Sequence, residues 1–286
     1  QGAVSIKGSI GAATPTLNLI DQLKNFSDID PKEQFFTSDH RGFVSEASLK
    51  NVSLSYPTSI NPVLQFVNLE IKQGEFVAIV GPSGAGKTSL VDVLLGILNP
   101  TEGHVEISGL TPLETFAKWP GAVSYLPQDI EVIDGSIRSN LCLGLDFNKV
   151  SDDELWDALD AAHLRELVES LPEKLDAPMG ERGMKISGGQ RQRLGIARAL
   201  LCKPRLIVFD EATSALDGET ESRVTDSLLA LKGEITIVMI AHRLSTIKEA
   251  DMIYVLEEGK ISARGNFETL RNSNPRFANQ AHLMGL

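Results

Sequence analysis

Eight consecutive residues, Gly81-Pro82-Ser83-Gly84-Ala85-Gly86-Lys87-Thr88, combine glycines, an ammonium and a hydroxyl in one short stretch. Glycines let backbone N–H groups point into one concavity, a lysine adds positive charge, and a following hydroxyl can ligate a divalent cation. The spacing is G-x-x-x-x-G-K-[ST], with Ser89 directly behind it, and the anion that fits such a cradle is phosphate. Lys87 is expected to reach the β- and γ-phosphates of a nucleoside triphosphate, and Thr88 to ligate Mg2+. A chance glycine-rich turn would carry the same letters but would need neither a buried strand before it nor a helix after it.

Both flanks are present. Phe76-Val77-Ala78-Ile79-Val80 is continuously apolar, as expected of a parallel strand covered on both faces. Downstream, Leu90, Val91, Val93, Leu94, Leu95, Ile97 and Leu98 recur at helical spacing, and Pro100 is expected to stop that helix.

Further polar groups stand at the ends of other apolar runs. Leu206-Ile207-Val208-Phe209 delivers Asp210 and Glu211, and successive strand residues face opposite sides. Asp210 is therefore expected toward Mg2+ and Glu211 toward the water that attacks the γ-phosphate. Ile235 to Ile240 delivers Ala241-His242-Arg243, where His242 can bond a γ-phosphate oxygen or hold the water. Ala122 to Leu126 leads through Pro127 to Gln128, which can point at Mg2+ or the attacking water, although a polar turn residue explains it equally well. Ser187-Gly188-Gly189-Gln190 opens a second long helix and repeats the physics of the first loop. A plain cap needs only the serine; the paired glycines are what it leaves unexplained. Tyr56 ends an alternating run beside a loop, where a ring can stack on a base; taken alone it is an ordinary strand aromatic.

The remaining elements position these groups. Residues 47–71 alternate as antiparallel strands do, Gly103 to Ile107 is a further short strand, and residues 130–200 read as mostly helical. Ser151-Asp152-Asp153-Glu154 is a capping box that turns Leu155, Trp156, Ala158 and Leu159 inward. His163 has no second ligand at metal spacing and is expected to be structural. Met252 to Leu256 and Lys260 to Ala263 are expected to close the fold as a hairpin around Glu257-Glu258-Gly259. Near the start, Thr14-Pro15 with Leu17, Leu19, Ile20 and Leu23 reads as a lead-in helix, and residues 28–34 as a polar linker. A start at Gln1 is expected of a piece cut from a longer chain.

The totals exclude some classes. Lys and Arg number 27 against 38 Asp and Glu, a net charge of −11, so a nucleic-acid partner is not expected. Cys142 and Cys202 each sit beside leucine and read as reduced core thiols. No run reaches the roughly 18 apolar residues of a membrane span, so the chain as given is expected to be soluble.

Taken together, residues 46–270 resemble the nucleotide-binding domain of an ATP-binding cassette transporter. Tyr56 matches the adenine-stacking aromatic, Gly81 to Thr88 Walker A, Gln128 the Q-loop and Ser187 to Gln190 the signature. Leu206 to Glu211 match Walker B with its catalytic glutamate, Ser214 to Asp217 the D-loop, and His242 the switch histidine. Ile186 stands where the signature usually has Leu, a volume-conserving change. Gly180 to Gly183 resemble the loop by which exporter-type cassettes touch their membrane domains.

The resemblance implies an α/β fold of the P-loop NTPase (RecA-like) kind, a mostly parallel sheet core with an antiparallel β subdomain and an inserted α-helical subdomain at about 130–200. It implies residues 46–286 as the nucleotide-binding domain and 1–45 as lead-in from a missing transmembrane domain. It further implies an ATPase using ATP and Mg2+ at the cytoplasmic face of a membrane. Its partners would be that transmembrane domain and a second nucleotide-binding domain, as an ATP-dependent homodimer or heterodimer whose signature closes over the γ-phosphate held by Lys87. The competing expectation is a soluble cassette ATPase acting on nucleic acid or ribosomes.

Overall fold

The computed structural model describes residues 40–57, 61–180, 186–210, 218–241 and 244–283. The chain divides into two compact units, Gln1–Phe35 and Phe36–Leu286, and all that follows concerns the second. The expected lead-in helix and linker lie outside the described residues.

The described elements begin with β1 (Ala47–Leu54), β2 (Leu64–Ile71), β3 (Phe76–Val80), α1 (Lys87–Leu94), β4 (Glu102–Ile107), α2 (Pro112–Lys118) and β5 (Val123–Leu126). They continue through α3 (Ile137–Leu141), α4 (Asp152–Ala161), α5 (Arg165–Glu169), α6 (Gly188–Leu201), β6 (Leu206–Asp210), α7 (Gly218–Leu229) and β7 (Thr236–Ile240). The last are α8 (Leu244–Lys248), β8 (Met252–Glu257), β9 (Lys260–Gly265), α9 (Phe267–Ser273) and α10 (Pro275–Leu283).

Two sheets result. One is antiparallel with order β2-β1-β4, and the other has order β5-β6-β7-β3-β8-β9, parallel except for β9 against β8. Hydropathy assigns the strands to their places. All five residues of β3, of β6 and of β7 are buried, which demands cover on both faces. β9 alternates along its length, and β1 does so on either side of Lys50 and Asn51, where the register shifts.

The period of two then divides the interior into two cores. Ala78, Phe209 and Met239 pack with Leu155, Leu159, Leu194 and Ala197 of the helical stretch. Val77, Ile79, Val208, Val238 and Ile240 pack with Leu90, Val91 and Leu94 of α1 and with Leu49 and Leu69 of the antiparallel sheet. Tyr254 of β8 ties the two sheets: its hydroxyl donates to the Glu70 carbonyl at 2.8 Å and accepts from the Glu70 N–H at 3.2 Å.

Two local expectations need correction. The helix after the loop ends at Leu94 rather than running to Leu98. Gly96 adopts φ +67°, its N–H bonds the Val93 carbonyl at 3.1 Å and the Ile97 N–H bonds the Asp92 carbonyl at 2.8 Å. That pair of bonds is a left-handed helix stop, and it turns Ile97 outward to 58% exposure. The apolar spacing of Ile97 and Leu98 was therefore not a helical face. The hairpin of β8 and β9 forms, but β8 does more than close the fold: it lies parallel to β3 as its neighbour in the main sheet. The expected capping box does form, with Ser151 accepting from Glu154 N–H and Glu154 accepting from Ser151 N–H.

Both thiols are free, and burial pushes each upward, Cys202 to about 11. At pH 8 neither should react with a disulfide reagent on the timescale on which both react after denaturation, as absorbance of the released thiolate reports. Gly96→Ala should lower the unfolding free energy from urea titration by at least the left-handed penalty of about 1–2 kcal/mol, since its Cβ would also stand 2.8 Å from the Pro112 Cβ.

Candidate nucleotide site

The loop from β3 to α1 is shaped by three left-handed glycines, Gly81 (φ +154°), Gly84 (φ +76°) and Gly86 (φ +101°). Gly81 lies so close to β8 that a Cβ would collide with the Leu256 carbonyl oxygen, whereas a Cβ on Gly84 would meet nothing within 4 Å. One glycine thus permits close packing and the other faces open space. Gly86 is the N-cap of α1 and offers no side-chain cap, and no acidic residue occupies the first turn. The first N–H groups of α1 therefore face outward with the positive end of the helix dipole behind them. Lys87 is 6% exposed, and its ammonium donates to the carbonyls of Gly81 at 3.0 Å and Pro82 at 3.1 Å. The cation is thereby held over the loop itself, while Thr88 in the same turn is exposed.

Strand register places the other candidates. Ile79 of β3, Ile240 of β7 and Asp210 of β6 are level across the sheet, and Leu126 of β5 is level with Phe209. Asp210 and Gln128 therefore leave the same edge as Gly81. The strand order shows what spacing could not: β7 lies between the strand of the loop and the strand of Asp210. Gln128, just beyond edge strand β5, is exposed. Asp210 is 2% exposed, and its charge, after burial, helps push the Tyr125 phenol up to about 12.

Hard oxygen donors of this kind suit Mg2+, which binds through one or two carboxylates and completes its shell with water and substrate phosphates. The described residues offer such donors in the buried Asp210 carboxylate and the exposed Thr88 hydroxyl. Asp210 and Thr88 are the residues that would hold it.

Tyr56 is brought to the loop through its hydroxyl, 3.1 Å from the Ser89 Oγ one residue after Thr88. The sequence contained no signal for that contact, nor for the Leu256 carbonyl against Gly81, because both depend on which strands are neighbours.

The second glycine-lined helix start differs from the first. Ser187 accepts from the Gln190 N–H at 3.2 Å and the Gln190 side chain accepts from the Ser187 N–H at 2.8 Å, a complete capping box. Two donors of that helix end are thus already engaged, and Gly188 and Gly189 lie within the first helical turn. α6 packs on α3, α4 and β5, whereas α1 packs on β1, β4 and β6, so separate parts of the fold position the two helix starts. Glu211, Ser214 to Asp217, His242 and Glu181 to Gly183 lie outside the described residues; their neighbours Asp210, Ala241 and Gly180 are described.

Gly81→Ala should unfold at markedly lower urea than Gly84→Ala, for which the left-handed penalty of about 1–2 kcal/mol is the only cost. Equal midpoints would contradict the packing of Gly81 on β8.

Comparison with known proteins accords with this geometry. The family model described as ABC transporter matches residues 64–214. A multidrug resistance ABC transporter ATP-binding and permease protein of Lactococcus lactis is 40% identical over 233 residues, 81% of this chain and 39% of that protein. An ATP-dependent lipid A-core flippase of Cupriavidus metallidurans is 40% identical over 231 residues, 80% of this chain and 39% of the flippase. The structure of a bacterial Atm1-family ABC exporter with ATP bound superposes with a TM-score of 0.77 at 31% identity, covering 95% of this chain and 48% of that one. The chain thus spans about two fifths of these curated relatives' length. A buried lysine over a three-glycine loop, an uncapped helix start beside it and a buried aspartate level with both, in a chain with these relatives, leave one assignment: the chain belongs to the ABC transporter family and forms its ATP-binding, ATPase domain.

Proposed function

We propose that the chain powers export across a membrane by hydrolysing ATP with Mg2+, working as one of a pair and joined to a permease part. The observation that carries this reading is the uncapped start of α1 beneath the Lys87 ammonium, which favours a polyphosphate over any other ligand class. In this reading Gly81, Pro82, Ser83, Gly84, Ala85 and Gly86 wrap the phosphates, with Ser89 behind them, and Lys87 neutralises the terminal ones. Thr88, Asp210 and Gln128 serve Mg2+, which when bound would offset charge on the phosphate oxygens. Tyr56 stacks on the base. Glu211 accepts a proton from the attacking water, and His242 holds the water or a γ-phosphate oxygen.

Ser187, Gly188, Gly189 and Gln190 would act on the nucleotide of a second nucleotide-binding domain. Their placement on a helix packed apart from α1 supports that division. Relatives named for multidrug resistance, lipid A-core flipping and β-(1→2)glucan export support transport over a soluble role on nucleic acid or ribosomes, and suggest that the permease part selects the cargo. Among the described residues no helix is long and apolar enough to cross a membrane. The domain is accordingly proposed to work at the cytoplasmic face, attached to spans carried elsewhere.

Glu211→Gln should keep ATP affinity but lower hydrolysis by about 10²- to 10⁴-fold, the share of a positioned base, whereas Lys87→Ala should lose affinity itself. With hydrolysis blocked by Glu211→Gln, light scattering should register an ATP-dependent dimer. A monomer at saturating ATP and high protein concentration would refute the paired arrangement.

A further inference from the structure

His163 occupies a backbone position that favours glycine, yet its side chain is engaged. α4 ends at Ala161 with Ala162 as its C-cap, and His163 follows with φ +53°. The His163 N–H bonds the Asp160 carbonyl at 2.9 Å, and the Leu164 N–H bonds the Leu159 carbonyl at 2.8 Å. These bonds define a left-handed helix stop, in which glycine carries no Cβ penalty and histidine does. Leu159 and Leu164, whose backbone bond closes the stop, are both buried.

From that strained point the residue reaches two other helices. Its carbonyl accepts from the Arg193 guanidinium of α6 at 2.6 Å. Its imidazole Nε2 stands 3.1 Å from the Arg223 carbonyl and 2.9 Å from the Ser227 hydroxyl, both on α7. A carbonyl only accepts, so Nε2 carries the proton and donates. α6 begins at the Ser187 loop, and α7 begins one residue after the segment that holds Glu211 and Asp217. His163 is thus a direct polar link between the helix that begins at Ser187 and the helix that follows Glu211 and Asp217 in sequence.

We propose that His163 is a positioning residue, a latch that makes α6 and α7 shift together, so that movement of Ser187 at the start of α6 is passed to α7. Because the imidazole is exposed, water competes for its partners. The link is therefore of modest strength, which sets the size of the effect its loss should have. The proposal rests on the ATPase reading for its functional consequence, but the latch itself is a structural statement with its own readout.

His163→Gly separates this role from a structural one, because glycine relieves the backbone while deleting the imidazole. The variant should melt at or above the parent's temperature and bind ATP within about twofold of the parent, as expected when the phosphate loop is untouched. Amide exchange of α7 should become faster, and kcat should fall by about 3- to 10-fold with KM unchanged, the size of one lost neutral hydrogen bond. Ser227→Ala should produce a similar but smaller loss, and adding it to His163→Gly should produce no further one. Unchanged exchange in α7 would overturn the latch. Faster exchange with normal kcat, or losses that add in the double variant, would overturn the positioning role. If the parent shows no ATP hydrolysis, the proposed function fails, and the exchange measurement still decides whether the latch exists.

Discussion

The structure depends on a helix that starts without a side-chain cap. Five other described helices begin on Thr111, Ser136, Ser151, Ser187 or Asn266, each of which accepts a backbone N–H, and α5, which begins on Leu164 without such a cap, carries Glu166 in its first turn instead. α1 begins on Gly86 and has no such acceptor. Leaving those donors unsatisfied costs free energy unless water or an anion meets them, so the start of α1 must stay open at the surface of an otherwise buried strand-to-helix unit. Lys87 adds a cation at the same place. Its buried ammonium is held by two loop carbonyls, so the charge is in position before any ligand arrives.

The rest of the fold keeps that opening in register. β3 is paired on both sides, by β7 and β8, and buried on both faces, so the loop leaves a rigid edge. β8 presses its backbone against Gly81, which ties the loop to the sheet on one side. The antiparallel sheet supplies Tyr56, bonded to Ser89, on the other. Asp210 then stands two strands away at the same level, with β7 between. The chemistry follows from backbone spacing more than from any single side chain.

The helical stretch plays a different part. It is built from short helices bonded to one another by Arg138 to Asp152 and Asp176, by Lys203 to Glu154, and by Arg193 to the His163 carbonyl. These links are mostly exposed, and exposed ion pairs contribute little to stability. What they do is define how α4 and α6 sit together, and the imidazole of His163 extends that arrangement to α7.

Much of this was legible beforehand. The phosphate loop, the all-apolar strands before Gly81 and Asp210, the alternation of β1 and the cap at Ser151 are local patterns, each set by the geometry of a few successive residues. Local pattern also misled at Ile97, because apolar spacing was read past a glycine that ends the helix. His163, expected to be structural for lack of a second metal ligand, bonds residues of α6 and α7 that lie 30 to 64 residues away in sequence. The sequence by itself pointed to the groups proposed to hold a magnesium nucleotide, because phosphate and Mg2+ select residue types at short spacing. Only the tertiary structure decided that β7 separates Gly81 from Asp210, that β8 lies against the loop and that Tyr56 reaches Ser89. Those are pairings between distant segments, chosen by burial over the whole chain, which no short window encodes.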